Sequence, residues 1–77
     1  MRVTLPIVTE VDYARAIVLV VTQAPLVSGQ GGLDALCGGC GVILVQGVYQ
    51  RWKEGLARRG SRELILRCPV CGSYVQA

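Results

Sequence analysis

Four cysteines are the residues of this chain whose type and spacing point to a definite chemistry. Cys37 and Cys40 form one Cys-x-x-Cys unit, and Cys68 and Cys71 form a second. That spacing brings two sulfurs onto one tight turn, close enough to share an ion. Two such turns supply the four thiolates that a tetrahedral metal takes. A glycine follows the second cysteine of each pair, Gly41 and Gly72, where the turn calls for a positive φ and where a backbone N–H can be aimed at a sulfur. Pro69 fixes φ just after one ligand and removes an N–H that would otherwise need a partner. The spacing therefore predicts that Cys37, Cys40, Cys68 and Cys71 together hold one metal ion. Disulfides fit less well, because a bridge inside a Cys-x-x-Cys unit is strained. A thioredoxin-type redox pair would need a helix N-terminus under its first cysteine, whereas residues 41–46 read as a strand.

Other chemistries are excluded by what is missing. The chain has no histidine, so it has no Ser-His or Cys-His nucleophile, no imidazole base and no His-containing metal site. Its five carboxylates, Glu10, Asp12, Asp34, Glu54 and Glu63, are scattered and make no catalytic set. Asp34 stands three residues before Cys37 and reads as a loop or capping carboxylate rather than a ligand. A zinc held by four thiolates has no open position for an activated water. The chain is expected not to be an enzyme.

The elements that must position these cysteines fit in one small domain. The chain has 77 residues, of which 52% are hydrophobic and 17% charged. A core of this size rarely gives more than about 3–5 kcal/mol, so a staple is expected. Residues 2–9 alternate weakly around Pro6 and read as an edge strand. Residues 15–23 are apolar and β-branched, with Ile17, Leu19 and Val21 on one face and Val18 and Val20 on the other; such a strand needs cover on both sides. Residues 25–35, rich in glycine, read as a loop. Val42–Gln46 reads as a strand. Residues 48–59 read as a short helix, because Val48, Trp52 and Leu56 recur at helical spacing. Residues 62–67 alternate into a strand that runs straight into Cys68, and a final strand passes through Tyr74 and Val75. The expected fold is small and mainly β, a single domain spanning 1–77. An N-terminal apolar strand pair lies within 1–28, a four-cysteine metal module fills 36–77, and a basic segment at 48–67 carries the short helix.

The run Cys37-Gly38-Gly39-Cys40-Gly41, followed by Leu66-Arg67-Cys68-Pro69-Val70-Cys71-Gly72, resembles the zinc ribbon, the rubredoxin-like fold in which two knuckles on β-hairpins clamp one zinc. The resemblance covers about residues 36–75. It implies one structural Zn²⁺ per chain, and a role among those ribbons fill in transcription, translation, RNA modification or protein assembly. The ending around Cys68–Gly72 is also similar to that of small zinc-finger translational activators of Mu-like phages, whose knuckles stand closer together, and their function is not carried over. Rubredoxins place iron in the same four thiolates and transfer electrons. They are typically acidic with aromatic cores, whereas this chain carries a formal charge of +3 and no phenylalanine.

Two kinds of partner are open. Six of the eight basic residues, Arg51, Lys53, Arg58, Arg59, Arg62 and Arg67, fall in 51–67. Arginine suits bidentate phosphate contact. Trp52 among them would either stack on a base or pack with Val48 and Leu56 onto the module. Arg51, Trp52, Lys53, Arg58, Arg59 and Arg62 are thus the candidate contacts to RNA or DNA. The N-terminal strands, in contrast, carry more apolar surface than a ribbon can cover, which points to a homodimer or a protein partner through 1–27. The longest apolar stretch, read generously as residues 14–27, falls short of the roughly 20 residues a spanning helix needs. No membrane association is expected, and a cytoplasmic, thiol-preserving compartment is.

Overall fold

In the computed structural model, residues 1–56 and 63–77 are described. Among these residues, seven strands and one short helix follow one another as β1 (Arg2–Leu5), β2 (Ala16–Val20), β3 (Val27–Ser28), β4 (Leu33–Cys37), β5 (Ile43–Val48), α1 (Trp52–Leu56), β6 (Glu63–Arg67) and β7 (Tyr74–Gln76). They form a four-stranded sheet in the order β1-β4-β5-β3 and a three-stranded sheet in the order β2-β6-β7. The small, mainly-β class read from the sequence is the class observed.

Each sheet is built on one cysteine hairpin. β4 and β5 are antiparallel and flank the first Cys-x-x-Cys turn. β6 and β7 are antiparallel and flank the second. The two N-terminal strands do not pair with each other, contrary to the expected strand pair. β1 lies parallel to β4, with Leu5 opposite Cys37, and β2 lies parallel to β6, with Val20 opposite Arg67. Each strand brings apolar side chains to the core by widening a different hairpin sheet.

Pro6 divides the segment that reads as one edge strand. β1 ends before it, and the chain then crosses to the other sheet. There Ile7 bridges to Val75, the Val8 N–H donates to the Tyr74 carbonyl at 2.8 Å, and the Gln76 N–H donates to the Pro6 carbonyl at 2.9 Å. Leu5 is buried at this crossing. The core lies between the sheets and contains Leu5, Val21, Leu33, Ala35, Leu44, Val45, Val48, Leu64, Leu66 and Val75, together with the side chains of Cys37 and Cys68.

Three further expectations are corrected. Residues 25–35 are not a continuous loop, since β3 and the start of β4 lie in them. Leu33, Ala35 and Cys37 alternate inward along β4, a period the preceding glycines conceal. Cover on both faces of β2 is incomplete: Ile17, Leu19 and Val21 turn to the core, but Val20 on the other face is 57% exposed. The helix expected over 48–59 is α1 at Trp52–Leu56, and Val48 instead ends β5 as a buried residue. A β-branched side chain at a strand end gains more from core contact than from starting a helix whose next turn contains Gly55. Residues 57–59 of that expected helix lie outside the described residues.

Candidate metal centre

Cys37 is the last residue of β4, and Cys68 follows directly after β6. Ladder pairing therefore fixes both before any metal is considered, and both are buried, while Cys40 and Cys71 at the turn tips are exposed. The two turns repeat the same hydrogen bonds. The Cys37 N–H donates to the Val42 carbonyl at 2.9 Å, and the Cys68 N–H to the Ser73 carbonyl at 2.9 Å. The Gly41 N–H donates to the Cys37 carbonyl at 2.9 Å, and the Gly72 N–H to the Cys68 carbonyl at 3.0 Å. Both glycines sit in the left-handed region, at φ 79° and 76°, where a residue with a Cβ is strained.

The glycine N–H groups therefore bind carbonyls, not the sulfurs expected from the sequence. The amides between the cysteines face the sulfurs instead. The Gly39 N–H donates to Cys37 Sγ at 3.3 Å, and the Val70 N–H to Cys68 Sγ at 3.4 Å. At the outer sulfurs the amides two residues on, of Val42 for Cys40 and of Ser73 for Cys71, favour the thiolate. Each sulfur thus has an N–H dipole at hand, which favours its thiolate.

The four Sγ atoms converge. Cys37 and Cys71 are 3.6 Å apart, as are Cys40 and Cys68, and all four atoms lie within 4.8 Å of one another. A tetrahedron with metal–sulfur bonds of about 2.3 Å has edges of about 3.8 Å. A disulfide would need about 2.05 Å, and all four cysteines are free. The donor set and its spacing can hold one metal ion.

The outer thiols differ in acidity. Hydrogen bonds from the Ser73 hydroxyl and N–H bring Cys71 down to about 6. At Cys40 the Val42 N–H also favours the thiolate, but loss of water and the three neighbouring sulfurs push it up to about 11. Cys71 thus gives up its proton more readily than Cys40, whose proton an arriving cation must displace. Acid favours the protons over the metal. The Arg67 guanidinium, whose Nη2 would stand 3.7 Å from a Cβ on Gly72, sets a cation beside the second knuckle.

The N-terminal segment completes the centre. A Cβ on Gly38 would run into the Leu5 carbonyl oxygen, and one on Gly39 would approach Cys71 Sγ at 3.1 Å and Ser73 Oγ at 3.2 Å. The Gly-Gly pair inside the first knuckle is there because the crossing strand and the second knuckle lie directly on it. Ser73 is a site residue that the cysteine spacing alone does not reveal; its signal is a hydroxyl two positions after the last cysteine.

Asp34 does not join the cysteine cluster. Its carboxylate accepts the Gly47 N–H at 2.9 Å and faces Arg2 at 4.0 Å, so it ties β4 to β5. Of the basic candidates, Arg51 and Lys53 are exposed and Trp52 is half-buried against the core. Arg51 faces Glu54 at 4.0 Å in a solvent-exposed pair, which is worth little. Arg58, Arg59 and Arg62 lie outside the described residues. Tyr49, 71% exposed, is not among the residues expected from the sequence, although it shares a groove of about 560 Å³ with Val27, Val48, Arg51 and Trp52. Among the described residues, no helix is long and apolar enough to cross a membrane. Compared with protein-family models, with curated proteins and with solved structures, the chain finds no match in any of the three, so the candidate metal centre rests on its own four sulfurs and the turns that carry them.

Proposed function

We propose that this chain is a zinc-ribbon-type module. Its Cys37, Cys40, Cys68 and Cys71 hold one structural Zn²⁺, and it works by presenting a surface rather than by catalysis. The observation that carries this reading is the set of four sulfurs gathered within 4.8 Å of one another, two of the pairs at 3.6 Å. Four protein ligands fill a tetrahedral ion and leave no position for a reacting water. A reducing, cytoplasmic setting goes with four unbridged cysteines. Elemental analysis of protein purified without added metal tests the proposal, and one zinc per chain in a colourless sample is the expected result. A red sample with one iron per chain would replace it with an electron-transfer centre, and protein that folds with no metal would overturn it.

A second reading concerns the surface presented. Exposed Tyr49 sits beside Arg51 and Trp52 on one groove, within the basic stretch that continues through Lys53, Arg58, Arg59 and Arg62. Aromatic rings for stacking and guanidinium groups for phosphate suit single-stranded nucleic acid. Fluorescence anisotropy with RNA and DNA oligonucleotides at two salt concentrations is expected to show binding that weakens with salt. Each arginine that neutralises a phosphate adds about 1 to the salt slope, so replacing Arg58→Glu and Arg59→Glu together should lower it by about 2. No binding, or binding indifferent to these changes, removes the reading.

A further inference from the structure

We propose that β2 is a self-pairing edge, at which two copies of this chain join antiparallel about a two-fold axis at Val18 and turn two three-stranded sheets into one six-stranded sheet. Among the described residues β2 is the one sheet edge without protection. β1 carries Arg2 and ends at Pro6, β3 is two residues long, and β7 is covered by Pro6, Ile7 and Val8. The Ala16-Ile17-Val18-Leu19-Val20 strand has no charge, proline or glycine, the residues by which natural sheets blunt such edges.

The backbone groups left over on β2 match this partner. The Val21 N–H donates to the Arg67 carbonyl at 3.2 Å, so the odd-numbered residues of β2 face β6. Strand alternation turns the N–H and C=O of Ala16, Val18 and Val20 to the open side. The Ala16 N–H is already given to the Asp12 carbonyl at 2.8 Å, which leaves its carbonyl free. With Val18 opposite Val18 of the second copy, the two valines exchange both of their bonds. Each Val20 N–H then meets the Ala16 carbonyl across the axis, and the Asp12 turn ends the ladder at that point.

The side chains agree with the register. Exposed Val20 falls opposite small Ala16, and Ile17 opposite Leu19, whose half-buried side chains extend the core face. Arg15 lies beyond the ladder at opposite ends of the two copies, so like charges do not meet. The pairing is isologous, as a two-fold dimer requires. A five-residue ladder buries less surface than the ~1,000 Å² expected of a firm interface, so the dimer is concentration-dependent.

The test is sedimentation velocity on metal-loaded protein across a roughly hundredfold dilution, with amide exchange of labelled protein at both ends of the range. The expected result is a dimer that dissociates on dilution, with the Val18 and Val20 amides protected only when concentrated. Val20→Lys, on an exposed side chain, should give monomer throughout with metal content unchanged. A monomer at every concentration overturns the proposal, as does a dimer with freely exchanging Val18 and Val20 amides. Dimerisation that Val20→Lys leaves intact overturns it as well. The amide measurement uses unaltered protein, so it decides the matter even if the variant fails to fold. Metal content is read separately, so loss of the zinc reading would be seen as such.

Discussion

At the scale of single residues, two kinds of glycine do different work around the same centre. Gly41 has a positive φ and open space where a Cβ would be, whereas Gly38 has no positive φ but the Leu5 carbonyl in that space. Gly41→Ala should therefore lose only the left-handed penalty, about 1–2 kcal/mol. Gly38→Ala must push a strand off the knuckle and should lose more. Denaturant midpoints of the metal-loaded proteins would rank them, and the reverse order would mean that the β1 crossing does not press on the knuckle. The sulfurs divide in a similar way. Cys37 and Cys68 are core side chains, while Cys40 and Cys71 are exposed tip thiols whose acidity Ser73 and the neighbouring thiols set apart.

At the scale of elements, the molecule is two copies of one device, a strand that delivers a cysteine, a four-residue turn closed by a left-handed glycine, and a returning strand. The repeat extends to individual hydrogen bonds, with Cys37, Gly39, Gly41 and Val42 in one turn answered by Cys68, Val70, Gly72 and Ser73 in the other. Neither hairpin is wide enough to bury both its apolar face and its edges. β1 and β2 supply the missing width, one to each sheet. Because the chain after β1 runs past Pro6 along β7, the same N-terminal segment also spans both sheets.

At the scale of the whole molecule, the metal would join the two sheets at the end where β4 and β6 stop. Cys37 belongs to one sheet and Cys68 to the other, and both sulfurs sit in the shared core. Apparent binding energies of about 10–16 kcal/mol for structural zinc exceed what a core of this size supplies. Removing the ion with a strong chelator should thus unfold the protein rather than loosen a loop. Trp52, the one tryptophan, is packed against the core, and its emission should shift to the red as the chelator takes the metal. A folded spectrum that survives complete metal removal would show that the two sheets hold together by packing alone.

The cysteine cluster was readable from sequence because each knuckle is a local matter: a three-residue offset and a following glycine fix the turn whatever surrounds it. The β-rich class and the strands ending at Cys68 and after Cys40 were readable for the same reason. The β4 strand was not, because its alternation is only five residues long and emerges from a run of glycines. The partners of β1 and β2 were not either. An apolar strand declares that it must be covered, but its covering partner depends on which sheet edge is free in space. The sequence by itself thus determined that four sulfurs could meet. Only the tertiary structure decided that two of them meet inside the core and two at its surface, and that the N-terminal strands build the sheets that bring them together, because contacts between distant segments are set by packing and not by spacing along the chain.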